Sequence, residues 1–95
     1  MPIPAAGSVA RRRRDTTLTR RTPRAVLILP EGADEPLRLE GPAAMVWDEL
    51  SVPLTDDALV EKVAARIGMP AAEIGGDVIV TRTALGLIGA ITEVR

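Results

Sequence analysis

The sequence predicts an α+β domain in which three short strands, paired as an antiparallel sheet, precede three helices. Residues 16–40 contain short β-favourable runs that are separated by a loop rich in Pro, Gly and acidic residues. After Gly41-Pro42 the apolar period changes from two to about 3.6 residues, and Pro, Thr and Gly stand where helices begin and end. With 95 residues, the chain has room for one small domain.

The first 15 residues, "MPIPAAGSVARRRRD", lack any hydrophobic period and combine Pro, Gly and small residues with a run of arginines. Such a composition is typical of a disordered segment. We therefore expect a disordered basic arm over residues 1–15 and a folded domain over residues 16–95.

Three segments predict the sheet. "TTLTRR" is short and β-favourable, and it predicts the first strand. "RAVLIL" has four consecutive apolar residues, which predicts a strand that is central in a sheet or covered on both faces. After the loop "PEGADEP", the alternating segment "LRLE" predicts a short, half-exposed third strand.

Three helices follow. Pro42 suits a first helical turn, and apolar residues recur at helical spacing up to Leu50. Thr55 is the expected N-cap of the second helix and Gly68 ends it. The third helix opens at Pro70 and reaches Ile91, either kinked at the pair Gly75-Gly76 or starting afresh with Asp77 as its cap. The tight turn "IGMP" between the last two helices predicts a winged helix-turn-helix-like arrangement.

The third helix carries two apolar stripes. The first is the natural core face and consists of Ile74, Val78, Thr81, Leu85 and Ile88. The second lies about 110° round the helix and consists of Val80, Ala84, Leu87 and Ile91, with Asp77 at its start. Two interpretations are open: this second stripe packs under the strands, or it forms a groove with the third strand.

Several function classes are excluded by composition. The chain has no Cys and no His, which excludes a metal site built on thiolates or histidines and a Ser-His-Asp triad. Carboxylates remain, but acid–base catalysis needs a walled cleft, which so small a core does not favour. We therefore expect no metal site, no cofactor and no enzymatic activity. No apolar run is long enough to span a membrane, and no apolar segment follows "RRRR" as an export signal requires. We therefore expect a cytoplasmic protein without membrane association.

Charge is segregated along the chain. Residues 1–24 carry seven Arg and one Asp, a net charge of +6, whereas residues 25–95 carry five basic and twelve acidic residues, a net charge of −7. From residue 70 to 91 the only base is Arg82, against Glu73 and Asp77. A helix that reads DNA needs cations for phosphates and base edges, so DNA is an unfavourable partner for this body.

The segments "LRLEGPAAMVWDEL" and "LTDDALVEKVAARIGMPAAEIGGDVIV", with the apolar helix that follows, resemble the PqqD-like family over roughly residues 24–92. These domains are RiPP recognition elements, which bind the leader peptides of ribosomally made, post-translationally modified peptides. The matching positions are Leu39 at the end of the strand, Val46-Trp47 in the first helix, Thr55 as a cap and Asp77-Val78 in the third helix. Gly41-Pro42, "SVP" and Gly75-Gly76 depart from the family pattern. We expect Trp47 to be a core anchor that fills the space between the first helix and the sheet, with direct contact to a ligand as the alternative.

The resemblance implies a non-catalytic peptide chaperone, of a kind common in lasso peptide pathways. A leader peptide would add as an antiparallel strand beside the third strand, and the domain would present it to a tailoring enzyme or leader peptidase. The implied leader-binding residues are Leu37, Arg38, Leu39 and Glu40 on the strand edge, and Asp77, Val80, Thr81, Ala84 and Leu87 on the third helix.

Two other functions are open at this point. A winged-helix protein could bind DNA through its basic arm, with the steep salt dependence of phosphate contacts. Alternatively, the second stripe could be buried in a homodimer, an arrangement compatible with peptide binding.

Overall fold

The computed structural model describes residues 9–94, and it confirms an α+β fold with a three-stranded antiparallel sheet and three helices. The elements in chain order are β1 (Ala10–Arg13), β2 (Leu18–Arg21), β3 (Val26–Leu29), β4 (Leu37–Leu39), α1 (Pro42–Glu49), α2 (Asp56–Ile67), α3 (Ala71–Leu87) and β5 (Ile91–Val94). None of the helices in this part of the chain has the length and hydropathy needed to cross a bilayer.

The main sheet has the order β2-β3-β4, so the apolar segment "VLIL" is its central strand, as predicted. Val26 and Ile28 of β3 are fully buried on the face that the helices cover. Leu27 and Leu29 point to the opposite face and are half-buried. The sheet therefore has one core face and one face that no helix covers completely.

The core lies between this sheet and the helices, and Trp47 is its largest fully buried side chain. Residues from the central strand, all three helices and β5 surround it in one apolar cluster. Trp47 is thus a core anchor, as predicted, because a chain without Phe or Tyr has no other side chain of comparable volume.

The helix boundaries follow the expected local signals. The Thr55 hydroxyl accepts a hydrogen bond from the Ala58 N–H at 3.2 Å, and Gly68 ends α2 with a φ of 80°, a conformation that glycine adopts without strain. α3 runs as one helix from Ala71 to Leu87. The prediction of a fresh start at Asp77 is therefore wrong, because the flanking apolar residues pack well enough to keep Gly75-Gly76 helical.

Two strands were not predicted. Ala10–Arg13, which we expected in the disordered arm, forms β1 and pairs with β5 in antiparallel register, with Arg11 opposite Glu93. On its other side β1 bonds the loop after α1: the Arg11 N–H donates to the Leu54 carbonyl at 2.9 Å, and the Leu54 N–H donates to the Arg11 carbonyl at 3.0 Å. Residues 1–8 of the predicted arm lie outside the described residues.

The predicted end of α3 also needs correction. Ile91 was assigned to the second stripe of the helix, but the helix ends at Leu87, and Gly89 turns the chain with a φ of 77°. Ile91 is the first residue of β5 and is buried in the core. An apolar residue at helical spacing can therefore belong to the next element of secondary structure when a glycine lies between that residue and the end of the helix.

Candidate functional site

β4 lies at one edge of the main sheet, and its only sheet partner among the described residues is β3. Its outer side therefore presents unpaired backbone groups, on which a further strand could add. Arg38 and Glu40 are exposed here and form an ion pair with each other. The edge that the sequence predicted is present and accessible.

Leu37 gives the clearest sign of a groove beside this edge. It pairs in register with Ile28, so both side chains point to the helix-covered face of the sheet. Ile28 is fully buried, whereas Leu37 is 43% exposed. The sheet thus extends beyond the cover of the helices at Leu37, and leaves an apolar side chain open on its inner face. Leu39, by contrast, is buried and offers a bound peptide only its backbone.

The second stripe of α3 is exposed. Val80 and Leu87 are 70% and 84% exposed, and Asp77 and Ala84 also face solvent. The interpretation in which this stripe packs under the strands is therefore wrong. Thr81 is half-buried and lies with the core stripe.

The stripe faces away from α2. On the α2 side, Gly75 approaches Val60, and the guanidinium of Arg82 binds Asp56. Val80 and Ala84 lie more than 120° round the helix from these two contacts. An apolar, unpartnered surface of α3 is therefore available on the side opposite α2.

The two sets of predicted residues do not line one closed pocket. α3 packs mainly on α2, α1 and β5, while β4 packs on β3. Four depressions stand out on the described surface, and none of them is lined by both β4 and the second stripe. A peptide that used both sets would have to bridge them, with its backbone on β4 and its side chains on α3.

The arginines of the N-terminal segment are largely engaged within the domain. Arg11 binds Asp56 at 3.2 Å, and Asp56 also binds Arg82 at 2.9 Å, in a network whose side chains are about 15% exposed. Arg13 donates from Nε to the Trp47 carbonyl at 2.7 Å, and its guanidinium lies 5.0 Å from the centre of the indole ring. Arg12 pairs with Asp15.

Sequence reasoning missed this network because it placed these arginines in an arm. The signal that could have revealed them is alternation: in "ARRR" only every second arginine turns inward, and arginine can bury its aliphatic stem along apolar surface.

The side chains at this surface are of a few kinds. No group of three or more His, Cys, Asp or Glu side chains in residues 9–94 is arranged to hold a metal ion. The surface offers an unpaired strand edge, exposed apolar side chains and isolated charges, which are the elements of peptide recognition.

No family model, curated protein or solved structure matches the chain. The interpretation of the site therefore depends on the geometry above and on the residue pattern.

Proposed function

We propose that this protein is a non-catalytic RiPP recognition element with a winged helix-turn-helix-like domain. In this proposal it acts in the cytoplasm and binds the leader region of a ribosomally made precursor. The leader adds as a strand to β4, and the domain presents it to a tailoring enzyme or leader peptidase. The observation that carries the proposal is the combination of a free β4 edge, an exposed inner-face Leu37 and an exposed apolar stripe on α3.

Each part of this surface has a role in β-strand addition. Backbone groups of Leu37–Leu39 would bond the incoming strand, which supplies affinity with little dependence on sequence. Leu37, Val80 and Leu87 would then contact alternate apolar side chains of the peptide, and their burial supplies selectivity.

The charges disfavour the alternative of a winged-helix DNA-binding protein. The solvent-facing side of α3 carries Glu73 and Asp77 and no base, since Arg82 turns toward Asp56. Arg11 and Arg13 are held inside the domain, so they cannot extend along a duplex without breaking these contacts. Neutralisation of several phosphates, which DNA binding requires, would have to come from other residues.

A homodimer is the second alternative that the exposed stripe permits, since burial of Val80 and Leu87 against their counterparts would remove apolar surface from water. Sedimentation equilibrium over a hundredfold concentration range, with and without peptide, separates the two uses of the stripe. A dimer that dissociates when peptide binds would show that both compete for it.

The test of the proposed function is fluorescence polarisation with two labelled probes. One is the leader half of a short peptide encoded next to this gene, and the other is a generic DNA duplex, each at low and near-physiological salt. We expect leader binding that persists at the higher salt, because apolar contacts and backbone hydrogen bonds are weakly screened. Duplex binding alone, lost as salt rises, would overturn the proposal.

A further inference from the structure

A polar depression of ≈ 480 Å³ lies between the C-terminal half of α3 and the two-stranded ribbon of β1 and β5. Of the predicted site residues, only Leu87 lines it. Its lining includes three arginines, two threonines and one acid, namely Arg11, Arg14, Arg82, Thr83, Thr92 and Glu93. The depression is therefore basic, although the body of the protein carries a net negative charge.

Two of the three arginines are held in place by one carboxylate. Asp56 binds Arg11 at 3.2 Å and Arg82 at 2.9 Å, and Arg11 also approaches Glu93 at 3.6 Å. These contacts fix the guanidinium groups in the wall of the depression and neutralise most of their charge.

Arg14 supplies the uncompensated charge. It is exposed and forms no ion pair with any described residue, and its backbone N–H donates to the Ala90 carbonyl at 2.9 Å. The backbone of Arg14 is thus anchored to the segment just before β5, while its guanidinium is free to bind an anion. Arginine is well suited to a carboxylate because its planar donors can bond both oxygens.

The depression has room for a side chain. Gly86 lines it, and a Cβ added at this glycine would meet nothing within 4 Å. Thr83 and Thr92 add hydroxyl groups that can donate to a carboxylate oxygen. The wall therefore combines a cation that has no ion-pair partner among residues 9–94, hydrogen-bond donors and open space.

Leu87 connects this depression to the peptide-binding surface, because it belongs both to the second stripe and to the lining. From Val80 to Leu87 the stripe covers about 10 Å along the helix, which is the length of about three residues of an extended peptide. A peptide that crosses the stripe therefore reaches the depression a few residues further on.

We propose that the ribbon–helix depression binds an acidic side chain, Asp or Glu, of the peptide that crosses the second stripe. This inference rests on the proposed function. It adds to it a selectivity rule: the preferred peptide carries apolar residues for α3 and a carboxylate a few positions beyond them.

A selection from a phage-displayed library of random twelve-residue peptides tests this rule. The full chain, its Arg14→Glu variant and its Arg24→Glu variant are used as separate baits. Arg24 is also an exposed arginine, but it lies in the turn between β2 and β3 and outside the depression. It therefore controls for the change in net charge.

We expect the full chain and Arg24→Glu to enrich peptides with apolar residues and one acid at a fixed spacing. Arg14→Glu should keep the apolar preference and lose the acidic one. Apolar enrichment without an acidic position, or an acidic preference that survives Arg14→Glu, would overturn the inference and leave the proposed function standing. Failure to enrich any peptide would overturn the proposed function and this inference together.

A selected peptide then provides a quantitative check. We expect its Glu→Gln version to bind the full chain about three- to fivefold more weakly, the upper part of the range for an exposed charge pair. The Gly86→Leu variant, which fills the depression, should reduce the difference between the two peptides to less than about twofold, and an undiminished difference would place the carboxylate elsewhere.

Discussion

Arg13 and Trp47 form a contact that joins the first strand to the core. The guanidinium of Arg13 lies over the indole ring and also donates to the carbonyls of Trp47 and Asp48, at 2.7 and 3.2 Å. The pKa of Arg13 is lowered from its ordinary value, chiefly because the side chain is partly buried. The nearby carboxylate of Asp48 acts in the opposite direction, and the charge of Arg21 adds to the lowering. The side chain therefore covers one face of Trp47 and satisfies the last carbonyls of α1 at the same time.

Arg13→Ala should destabilise the domain by about 1–3 kcal/mol, because two partly buried carbonyls lose a charged donor. The free energy of unfolding is measured by urea titration with far-UV circular dichroism. Arg20→Ala is the matched control, since Arg20 is exposed on β2 and should change stability by less than about 0.5 kcal/mol. Equal effects of the two substitutions would mean that the Arg13 contact contributes nothing.

α3 is the element in which sequence preference and tertiary packing conflict most. Two adjacent glycines lie in its first half, yet the helix continues through them. A Cβ at Gly76 would meet nothing within 4 Å, and one at Gly75 would lie at an ordinary 3.6 Å from Val60. Neither glycine is required by the available space, so both weaken a helix that packing maintains.

Gly75→Ala and Gly76→Ala should each stabilise the domain by about 0.5–1 kcal/mol, since alanine loses less backbone entropy in a helix. Gly68→Ala should act in the opposite direction, because Gly68 has a φ of 80° at the end of α2. Melting temperatures of the three variants give the comparison. If Gly76→Ala lowers the melting temperature, the continuous α3 is not the stable form.

The exposed stripe of α3 leads to a binding prediction. Leu87→Arg should weaken leader binding at least about tenfold, because the substitution replaces a contact that would be buried with a strongly hydrated cation. Stability should change little, since Leu87 is 84% exposed. Leu18→Arg is the matched control: Leu18 is 66% exposed but lies on β2, at the opposite edge of the sheet from β4. A similar loss of leader affinity in both variants would indicate a general effect of charge, and would contradict a peptide-binding groove at α3.

The sequence was sufficient to predict the elements that local signals define. β3 has an unbroken apolar run, and α2 has both a capping Thr and a terminal Gly, so short-range physics determines them. β1 and β5 were beyond such reasoning, because each forms only through the other and they are about 80 residues apart in the chain. The exposed stripe was identified from its period, but only the packing of α2 against the other side of α3 shows that it is free.

At the scale of the whole molecule, the fold brings the basic N-terminal segment and the acidic body together. Asp56 binds an arginine from β1 and another from α3, so one carboxylate of α2 connects three elements. Asp48 has the same role at the other end of β1, where Arg13, Arg21 and Arg66 surround it. The opposite net charges of the two segments therefore attract each other within the domain.

Asp56→Asn should destabilise the protein by about 2–4 kcal/mol, because it leaves two largely buried arginines facing each other with only the exposed Glu93 as a counter-charge. Glu40→Gln removes one partner of the exposed pair with Arg38 and should change stability by less than about 0.5 kcal/mol. Urea unfolding at low salt measures both. Combination of Asp56→Asn with Arg82→Met should recover part of the loss, and a fully additive double variant would contradict the network.

The pairing of β1 with β5 has a consequence for synthesis of the chain. β1 leaves the ribosome before the helices, and its partner, Ile91–Val94, is translated about 80 residues later. Until then the backbone of β1 can bond only the loop after α1, although Asp56 and Trp47, the partners of Arg11 and Arg13, are already present. We expect completion of this domain to follow translation of β5, with a slow step set by closure of this long loop. A nascent chain that stalls before Ile91 would carry a helical core whose open flank is a substrate for chaperones and proteases.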